Sequence, residues 1–467
     1  MTLDRRQVLA GAVALPVFGA APAFARRATP QFFNDIERRS FNYFWELGRD
    51  DNGLVPDRWP GPGPCSIAAV GFALTAYPLG VEAGWVSRKA ARRRTLATLR
   101  FFDGSPQGDD PESSTGAHGF FYHFLDLESG LRYRQCELSS VDSTLLFLGV
   151  LFAGGWFDAP HPDEKEIRRL SARILDRADW RWFQRGRGDI SMGWHPETGF
   201  IERGWTAYNE GMMVALLALG SREHGVDDDA WPAWTSTLEG FWRGEGQGRH
   251  IAFAPLFGHQ YSHIWFDFRG IMDATNRAAG FDYFENSRRA VYANRAYCID
   301  NPMGWDGYSA DLWGLTACDG PGYFKVDHRG QSRQIHGYAA RGPLGQPDEL
   351  DDGTIAPTAA ITSLPFAPEI VIPAARALGA RPGLFDRYGF KDSFNPSLRD
   401  SSLAIETGAI DPTHGWVASD YLGIDQGPIL AMIANYRREA VWRVMRDDSR
   451  VRRGLARAGF EGGWMRS

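Results

Sequence analysis

The chain of 467 residues has few cysteines and lacks the short motifs that mark several common enzyme classes. None of its four cysteines (Cys65, Cys136, Cys298 and Cys318) belongs to a CxxC pair, which argues against a zinc site or a redox pair. A glycine-rich phosphate loop, a GxSxG elbow and a zincin motif are also missing. Nucleotide chemistry and covalent serine or cysteine catalysis therefore lack support. We expect mostly free, buried thiols and no requirement for a metal or cofactor.

The chain also lacks an excess of basic charge. Its 51 Lys and Arg residues are outnumbered by 57 Asp and Glu residues, which gives a formal net charge of −6. Such a mildly acidic protein has no electrostatic reason to bind nucleic acid or an anionic membrane. After the N-terminal region, no apolar run is long enough to span a bilayer.

The N-terminal segment is typical of an export signal. A twin-arginine pattern at residues 4–9 is followed by a short apolar stretch containing Pro16 and by a small-x-small site at residues 23–25. A membrane anchor is the alternative, but the apolar stretch is too short to span comfortably. We predict a signal peptide at 1–25, a mature chain at 26–467, and a periplasmic or secreted location.

The mature chain contains helical runs of two kinds. Some are apolar on nearly all sides, whereas others have one polar face, and a double-layered helical barrel needs both. No low-complexity linker divides the chain, so we predict one all-α domain of about twelve helices, with long loops rich in glycine and aromatic residues. The predicted helices include 66–77, 143–152, 163–178, 210–219, 231–242, 268–279, 282–298, 311–316 and 426–436, and a short β-hairpin is predicted at 119–130.

Three acidic residues stand at the starts of strongly apolar helical runs: Asp142, Glu210 and Asp425. The positive end of a helix dipole favours a carboxylate there. If these helices lie parallel inside a barrel, their acids gather at one end and line a pocket. The alternative is helix capping, for which Asp142 and Asp425 are themselves candidates, as are the serines before Asp142.

Glu210 has the least need of a capping role, because Asn209 precedes it as a natural cap. An apolar wall of methionines and aromatics would raise its pKa, which suits a general acid. Trp205 and Tyr208 could stack on sugar faces. The alternative is that Glu210 only complements the helix dipole.

His259, His263 and Asp267 recur at steps of four and would share a helix face. They could bind a metal, but no further motif supports one. Polar groups lining a sugar cleft are favoured, and hydrogen-bonded core residues are the alternative. Loops containing Asp57 and Arg58, Trp313 and Asp319, or Asp351 and Asp352 also suggest a cleft lining.

Seven segments together resemble the glucoamylase-like domain family, which overlaps the bacterial β-1,2-glucanases of glycoside hydrolase family 144. The resemblance runs in order from about residue 32 to residue 460. The segments are ELSSVD (137–142), YNE (208–210), QYSH (260–263), DFR (267–269), GLTA (314–317) with DG (319–320), DGTIAP (352–357) and YLGIDQGP (421–428). The resemblance implies an (α/α)6 barrel, inverting hydrolysis of β-1,2-glucan and an essential acid in the YNE segment.

On this basis we expect Glu210 to deliver a proton to the leaving oxygen and either Asp142 or Asp425 to activate water. Inversion requires the two carboxyls to be about 6.5–9.5 Å apart. The expected substrate-binding residues are Asp57, Arg58, Trp205, Tyr208, His263, Asp267, Arg269, Trp313 and Asp319. We expect a monomer that cleaves the glucan internally. The alternatives are an exo-acting hydrolase, a transglycosylase and a non-catalytic glycan-binding protein.

Overall fold

The computed structural model describes residues 27–466. The predicted signal peptide therefore lies outside the described residues and stays a prediction. The α-helices of the described part are α1 (Phe32–Leu47), α2 (Ile67–Glu82), α3 (Arg88–Gly104), α4 (Ser140–Trp156), α5 (Pro162–Asp176), α6 (Trp180–Gln184), α7 (Gly211–Gly220), α8 (Ala230–Thr235), α9 (Tyr261–Trp265), α10 (Ala274–Ala279), α11 (Tyr283–Asp300), α12 (Pro357–Thr362), α13 (Pro368–Gly379), α14 (Gly423–Arg438), α15 (Trp442–Asp447) and α16 (Ser449–Arg457).

The predicted double-layered helical barrel is confirmed. Helices α2, α4, α7, α9, α12 and α14 form the inner layer; α14 packs on α2, α2 on α4, α4 on α7, and α9 and α12 on α14. Outer helices cover them, with α1 on α2 and α14, α5 on α4, α13 on α12 and α16 on α7. The inner helices α2, α4 and α7 are buried along nearly their whole length, as their uniformly apolar sequences require.

All six inner helices begin at one end of the barrel, which we call the mouth. Tyr261, the first residue of α9, donates a hydrogen bond to the carbonyl of Ile424 in the first turn of α14 (3.1 Å). The Thr358 hydroxyl in the first turn of α12 lies 3.5 Å from the carbonyl oxygen of Asp425. The start of α14 also receives the loop before α2, since the Gly423 N–H donates to the carbonyl of Asp57 (2.9 Å).

Short strands lie in the connections between the helices. They are β1 (Arg58–Trp59), β2 (Cys65–Ser66), β3 (Gly116–Ala117), β4 (Phe120–Phe121), β5 (Phe124–Leu125), β6 (Leu138–Ser139), β7 (Gly193–His195), β8 (Gly199–Phe200), β9 (Trp242–Arg243), β10 (His250–Ile251), β11 (Ala317–Cys318), β12 (Phe324–His328), β13 (Gln331–Ile335), β14 (Ala339–Ala340), β15 (Phe385–Asp386), β16 (Gly389–Phe390), β17 (Phe394–Asn395), β18 (Ala409–Asp411), β19 (Gly415–Val417) and β20 (Tyr421–Leu422). Strands β2, β6 and β20 lead directly into α2, α4 and α14. Their antiparallel partners β5, β7 and β1 bring distant loops to those helix starts.

Several boundary predictions were wrong. Residues 311–316 are not helical, and of the predicted helix 268–279 only α10 forms. Gly270 and Gly314 have φ values of 72° and 130°, a backbone conformation that ends a right-handed helix. The segment 231–242 divides into α8 and a 3-10 turn, Leu238–Phe241. The longest hairpin, β12–β13, was not predicted, although the turn after β5 was.

The four cysteines are unpaired, as expected; three are buried and Cys136 is partly exposed. No helix within residues 27–466 is long and apolar enough to cross a membrane.

Helices α2 and α4 touch backbone to backbone. A Cβ atom on Gly149 would lie 2.1 Å from the carbonyl oxygen of Gly71, and one on Gly71 would lie 2.2 Å from that of Leu145. Neither oxygen can move without separating two inner helices. The absence of a side chain at this crossing therefore sets the distance between the helices that position Ser66 and Asp142.

We predict that Gly149→Ala lowers the free energy of unfolding by about 3 kcal/mol, because overpacking against a fixed backbone is strongly destabilising. Urea denaturation of the full chain would measure the loss. Gly104→Ala is the matched control, since a Cβ there meets nothing within 4 Å, and it should change stability by less than about 1 kcal/mol. Equal effects of the two substitutions would contradict the tight crossing.

Candidate active site

An arginine joins three aspartates at the mouth. Pairing of β1 with β20 places Arg58 opposite Leu422 and next to Asp420. The Arg58 guanidinium donates to Asp319 (2.8 Å) and Asp57 (3.1 Å), and lies 3.5 Å from Asp420. The structure thus brings together three predicted binding residues, Asp57, Arg58 and Asp319. Burial raises the pKa of Asp57, whereas the Arg58 charge opposes that rise.

A pair of buried carboxyls, Asp392 and Asp425, lies beside this arginine. The Asp319 N–H donates to Asp392 Oδ2 (2.6 Å), but Asp392 Oδ1 and Asp425 Oδ2 have no hydrogen-bond donor within the described residues. Burial raises the pKa of both groups; the negative charge of Asp319 adds to the rise at Asp392, and that of Asp392 adds to the rise at Asp425. Two such acids cannot both ionise at low cost, so the pair holds one proton.

The structure corrects the capping role proposed for Asp425. Leu422 is the N-cap residue of α14, and Asp425 lies within the first turn. Its side chain makes no capping hydrogen bond, so the helix does not need it as a cap. The same holds for Asp142, because the Ser139 hydroxyl caps α4 by accepting from the Asp142 N–H (3.1 Å).

The Asp142 carboxylate instead belongs to a second cluster. It accepts from the Ser139 hydroxyl (2.6 Å) and lies 3.5 Å from His123 Nε2, while His123 Nδ1 lies 2.8 Å from Glu137. Burial opposes a charge on His123, but Asp142 and Glu137 outweigh it and raise the pKa of His123 to about 9. Burial also raises the pKa of Asp142, and the His123 charge limits the rise. Asp142 therefore has a cationic partner.

Glu210 has no such partner. It precedes the first residue of α7 and makes no side-chain capping bond, because Asn209 Oδ1 accepts from the Gly211 N–H (3.0 Å), as predicted. Its Oε2 atom is shielded from solvent and has no hydrogen-bond partner within residues 27–466. Burial, followed by the negative charges of Asp142 and Asp348, raises the pKa of Glu210 to about 7. At neutral pH a large fraction of Glu210 keeps its proton.

Tyr261 connects the two sides of the mouth. Its hydroxyl is bonded to the start of α14, and its pKa is raised well above its usual value by burial and then by nearby groups that include Asp425 and Glu210. Both acids therefore act on one phenol. The three helix-start acids predicted to converge do lie at a common end, with Glu210 close enough to Asp142 to feel its charge.

Other predicted binding residues lie elsewhere. Asp267 and Arg269 pair with each other (2.7 Å), and Arg269 also pairs with Glu439, just beyond the last residue of α14. The fourteen residue steps from Asp425 to Glu439 span about 20 Å of helix, so this ion pair is at the end opposite the mouth. Asp267 and Arg269 thus do not line the cleft with Glu210.

His263, Trp205, Tyr208 and Trp313 are buried, with at most 5% of their surface exposed. His263 bonds to Ser287 (3.0 Å), and burial lowers its pKa to about 3; Trp205 donates to Ser140 (2.8 Å), and Tyr208 lies 3.3 Å from Ser287. His263, Trp205 and Tyr208 are therefore hydrogen-bonded core residues. None of the four presents an exposed face on which a sugar could stack.

The metal interpretation of His259, His263 and Asp267 was wrong in its geometry. Helix α9 covers only Tyr261–Trp265, so the three residues do not share one helix face. Within the described part of the chain, one group of three has ligand atoms close enough for a metal ion: His123, Glu137 and Asp142, within 4.8 Å of one another. His123 already bridges the two carboxylates there.

Sequence reasoning missed Asp392, Asp420 and His123. All three lie in loops or rim segments without helical periodicity, and no local pattern distinguishes them from ordinary turn residues. The only signal was position, since Asp420 comes just before the YLGIDQGP segment and His123 just before a predicted strand end.

Comparison with known proteins adds to this geometry. The model of the Glycoamylase family, described as "Putative glucoamylase", matches residues 202–449. A curated relative from Parabacteroides distasonis, named as an exo β-1,2-glucooligosaccharide sophorohydrolase (non-reducing end), is 26% identical over 91% of this chain. The match covers 57% of that relative, so the chain spans little more than half of its length.

Two solved structures share the fold. A protein from Bacteroides uniformis, described as a putative glucoamylase, has a TM-score of 0.77 and 29% identity, over 93% of this chain and 98% of that one. The endo-β-1,2-glucanase of Chitinophaga pinensis, in complex with sophorotriose and glucose, has a TM-score of 0.74 and 26% identity, over 92% and 98% of the two chains.

The raised pKa of Glu210 predicts a pH-dependent cost of folding. The unfolded chain releases this proton near pH 4.5, whereas the folded chain holds it until about pH 7. Stability is therefore lost as the pH rises between these values, by up to about 3 kcal/mol. Glu210→Gln should remove the loss. Urea denaturation should show little difference from the wild type near pH 4 and a gain of about 1–3 kcal/mol near pH 8.

Glu202→Gln is the matched control, because the Glu202 side chain is 84% exposed. It should leave the pH dependence of unfolding unchanged. A Glu210→Gln variant with the same pH dependence as the wild type would show that Glu210 titrates normally.

Proposed function

The chain belongs to the Glycoamylase family, and on that premise we propose that it is a glycoside hydrolase that cleaves β-1,2-glucan with inversion at the anomeric carbon. The observation that carries the proposal is that Glu210, which keeps its proton in a large fraction of molecules at neutral pH, and the Asp392–Asp425 pair all lack a cation in direct contact within residues 27–466. The substrate class comes from the relatives, two of which are named for β-1,2-glucan or its oligosaccharides.

In the proposed reaction, Glu210 gives its proton to the glycosidic oxygen, directly or through a substrate hydroxyl, as the bond to the anomeric carbon breaks. Water attacks from the opposite face and passes a proton to a carboxylate. We assign this base to the Asp392–Asp425 pair, which keeps one negative charge while it holds one proton. Asp142 is the weaker candidate, because Ser139 and His123 already engage its two oxygens.

The ionised Asp142 has a different role in this scheme. Its negative charge helps to raise the pKa of Glu210, and the His123 charge opposes the rise that burial causes in the pKa of Asp142. Arg58 would hold Asp57 and Asp319 in position to bind sugar hydroxyls. Activity should therefore fall as the pH rises through about 7, where Glu210 loses its proton.

We predict that Glu210→Gln lowers kcat on β-1,2-glucan by about 10²–10⁴-fold, because an amide cannot donate the proton that the leaving oxygen needs. The rate at which reducing ends are released from β-1,2-glucan would measure the loss of kcat. The same assay on a panel of linkage-defined glucans would test the substrate class. The control Glu202→Gln should keep the wild-type rate. Turnover by Glu210→Gln close to the wild-type rate would overturn the assignment of Glu210 as the acid. If the wild-type protein binds β-1,2-glucan but does not cleave it, a glycan-binding protein is favoured instead.

We further propose internal cleavage, because polar side chains extend around the mouth from His123 to Asp420 and offer partners to several glucose units. The exo-acting alternative is favoured by the name of the curated relative. Early products from a long β-1,2-glucan labelled at the reducing end should form a ladder of labelled oligosaccharides. Sophorose or glucose released from the unlabelled end, with the label kept on long chains, would support exo action. A new linkage in the products would indicate a transglycosylase.

A further inference from the structure

Two exposed tyrosines lie side by side near the mouth. Within residues 27–466, only four large hydrophobic side chains are exposed, and Tyr323 and Tyr338 are the most exposed of them, at 63% each. The Tyr323 hydroxyl donates to the main-chain carbonyl of Tyr338 (3.1 Å). Exposed aromatic side chains are costly to leave in water and are typical of binding surfaces.

The backbone that carries Tyr338 is held unusually firmly for a surface loop. The Arg341 guanidinium is fully buried and donates to the carbonyls of His336 (3.1 Å), Gly337 (3.0 Å) and Ala339 (3.2 Å). Arg341 and Tyr323 together donate a hydrogen bond to each of the four successive carbonyls from residue 336 to residue 339. The loop cannot turn Tyr338 away without breaking several of these bonds.

The Arg341 charge is balanced by Asp352, which is also fully buried and accepts two hydrogen bonds from it, at 2.8 and 2.9 Å. Burying an ion pair has a large desolvation cost. Apolar residues of similar volume in its place often stabilise a protein core to the same degree or more. This ion pair lies beneath a loop rather than between barrel helices. Its observed consequence is the fixed geometry of residues 336–339.

The register of the neighbouring strands places Tyr338 beside the carboxylates. Strand β14 pairs with β11 so that Ala339 lies opposite Cys318, which precedes Asp319 in the chain. Arg341 also donates to the Cys318 carbonyl (2.6 Å) and so binds both strands. Tyr338 is largely exposed, and desolvation by the surrounding protein, followed by nearby charges that include those of Asp392 and Glu210, raises the pKa of its phenol, so the hydroxyl lies near both acids.

We propose that Tyr338 is a preformed platform on which a glucosyl unit next to the scissile bond stacks, and that Arg341 is the residue that positions it. This inference rests on the proposed function. A rigid aromatic face lowers the entropy lost when substrate binds. Tyr338 therefore acts in substrate binding, and Arg341 acts through Tyr338 without touching the sugar.

Tyr338→Ala and Tyr338→Phe test the platform, because a surface substitution leaves the buried loop anchors intact. Tyr338→Ala should raise KM for β-1,2-glucan about tenfold or more, with a much smaller change in kcat. Tyr338→Phe keeps the stacking face and should remain near the wild-type KM. The control Ile299→Ala removes another exposed apolar side chain, 48% exposed near the end of α11, and should have no effect.

Arg341→Lys tests the positioning role. A lysine ammonium cannot span four carbonyls and a carboxylate at once, so this variant should also raise KM. The effect should disappear when the substitution is made in the Tyr338→Ala background. A full additional effect there would overturn the positioning role.

Wild-type activity with an unchanged KM in Tyr338→Ala would overturn the platform alone. A wild-type chain that does not cleave β-1,2-glucan would overturn the proposed function, and this inference would fail with it. If Arg341→Lys does not fold, the Tyr338 variants still decide whether the platform exists.

Discussion

The burial of several carboxyl groups at one end of a ring of helices is the constraint on which the rest of this structure depends. Inner helices with apolar side chains on all faces must be surrounded by protein, and six of them close into a barrel only with an outer layer around them. Because all six begin at the mouth, their free N–H groups and dipoles make that end favourable for negative charge. Acids placed there lose water and depend on whatever partners the loops bring.

Some of these acids have a cationic partner and others have none. This difference indicates which acids can exchange protons with the substrate. Arg58 contacts Asp57 and Asp319, His123 contacts Glu137 and Asp142, and Arg341 contacts Asp352. In the part of the chain that the structure describes, neither Glu210 nor the Asp392–Asp425 pair has a cation in direct contact, so these groups retain protons near neutral pH. A site that must both give and take a proton needs such groups, whereas the paired acids serve better as fixed charges and sugar-binding groups.

The sequence made the helix layer and the helix-start acids predictable, because both are local: apolar periodicity identifies a buried helix, and an acid in its first turn moves with it. The rim could not be predicted in this way. Asp392, His123 and Tyr338 reach the site through short strand pairings between residues far apart in the chain, such as β2 with β5 and β11 with β14. Asp267 and Arg269 were predicted at the wrong end of the barrel, because the composition of a loop does not indicate which end of the barrel the loop occupies.

The two ends of the barrel show that charge alone does not identify a catalytic residue. At the far end, Asp267, Arg269, Glu439 and Arg446 form a closed network in which each acid contacts two arginines. The network joins the segment after α9 to the end of α14 and leaves neither carboxylate without a counter-charge. At the mouth, the arginines are fewer than the acids, so some carboxyls must hold a proton instead. The shortage of cations at one end, rather than the number of acids, therefore distinguishes a reactive mouth from a structural ion network.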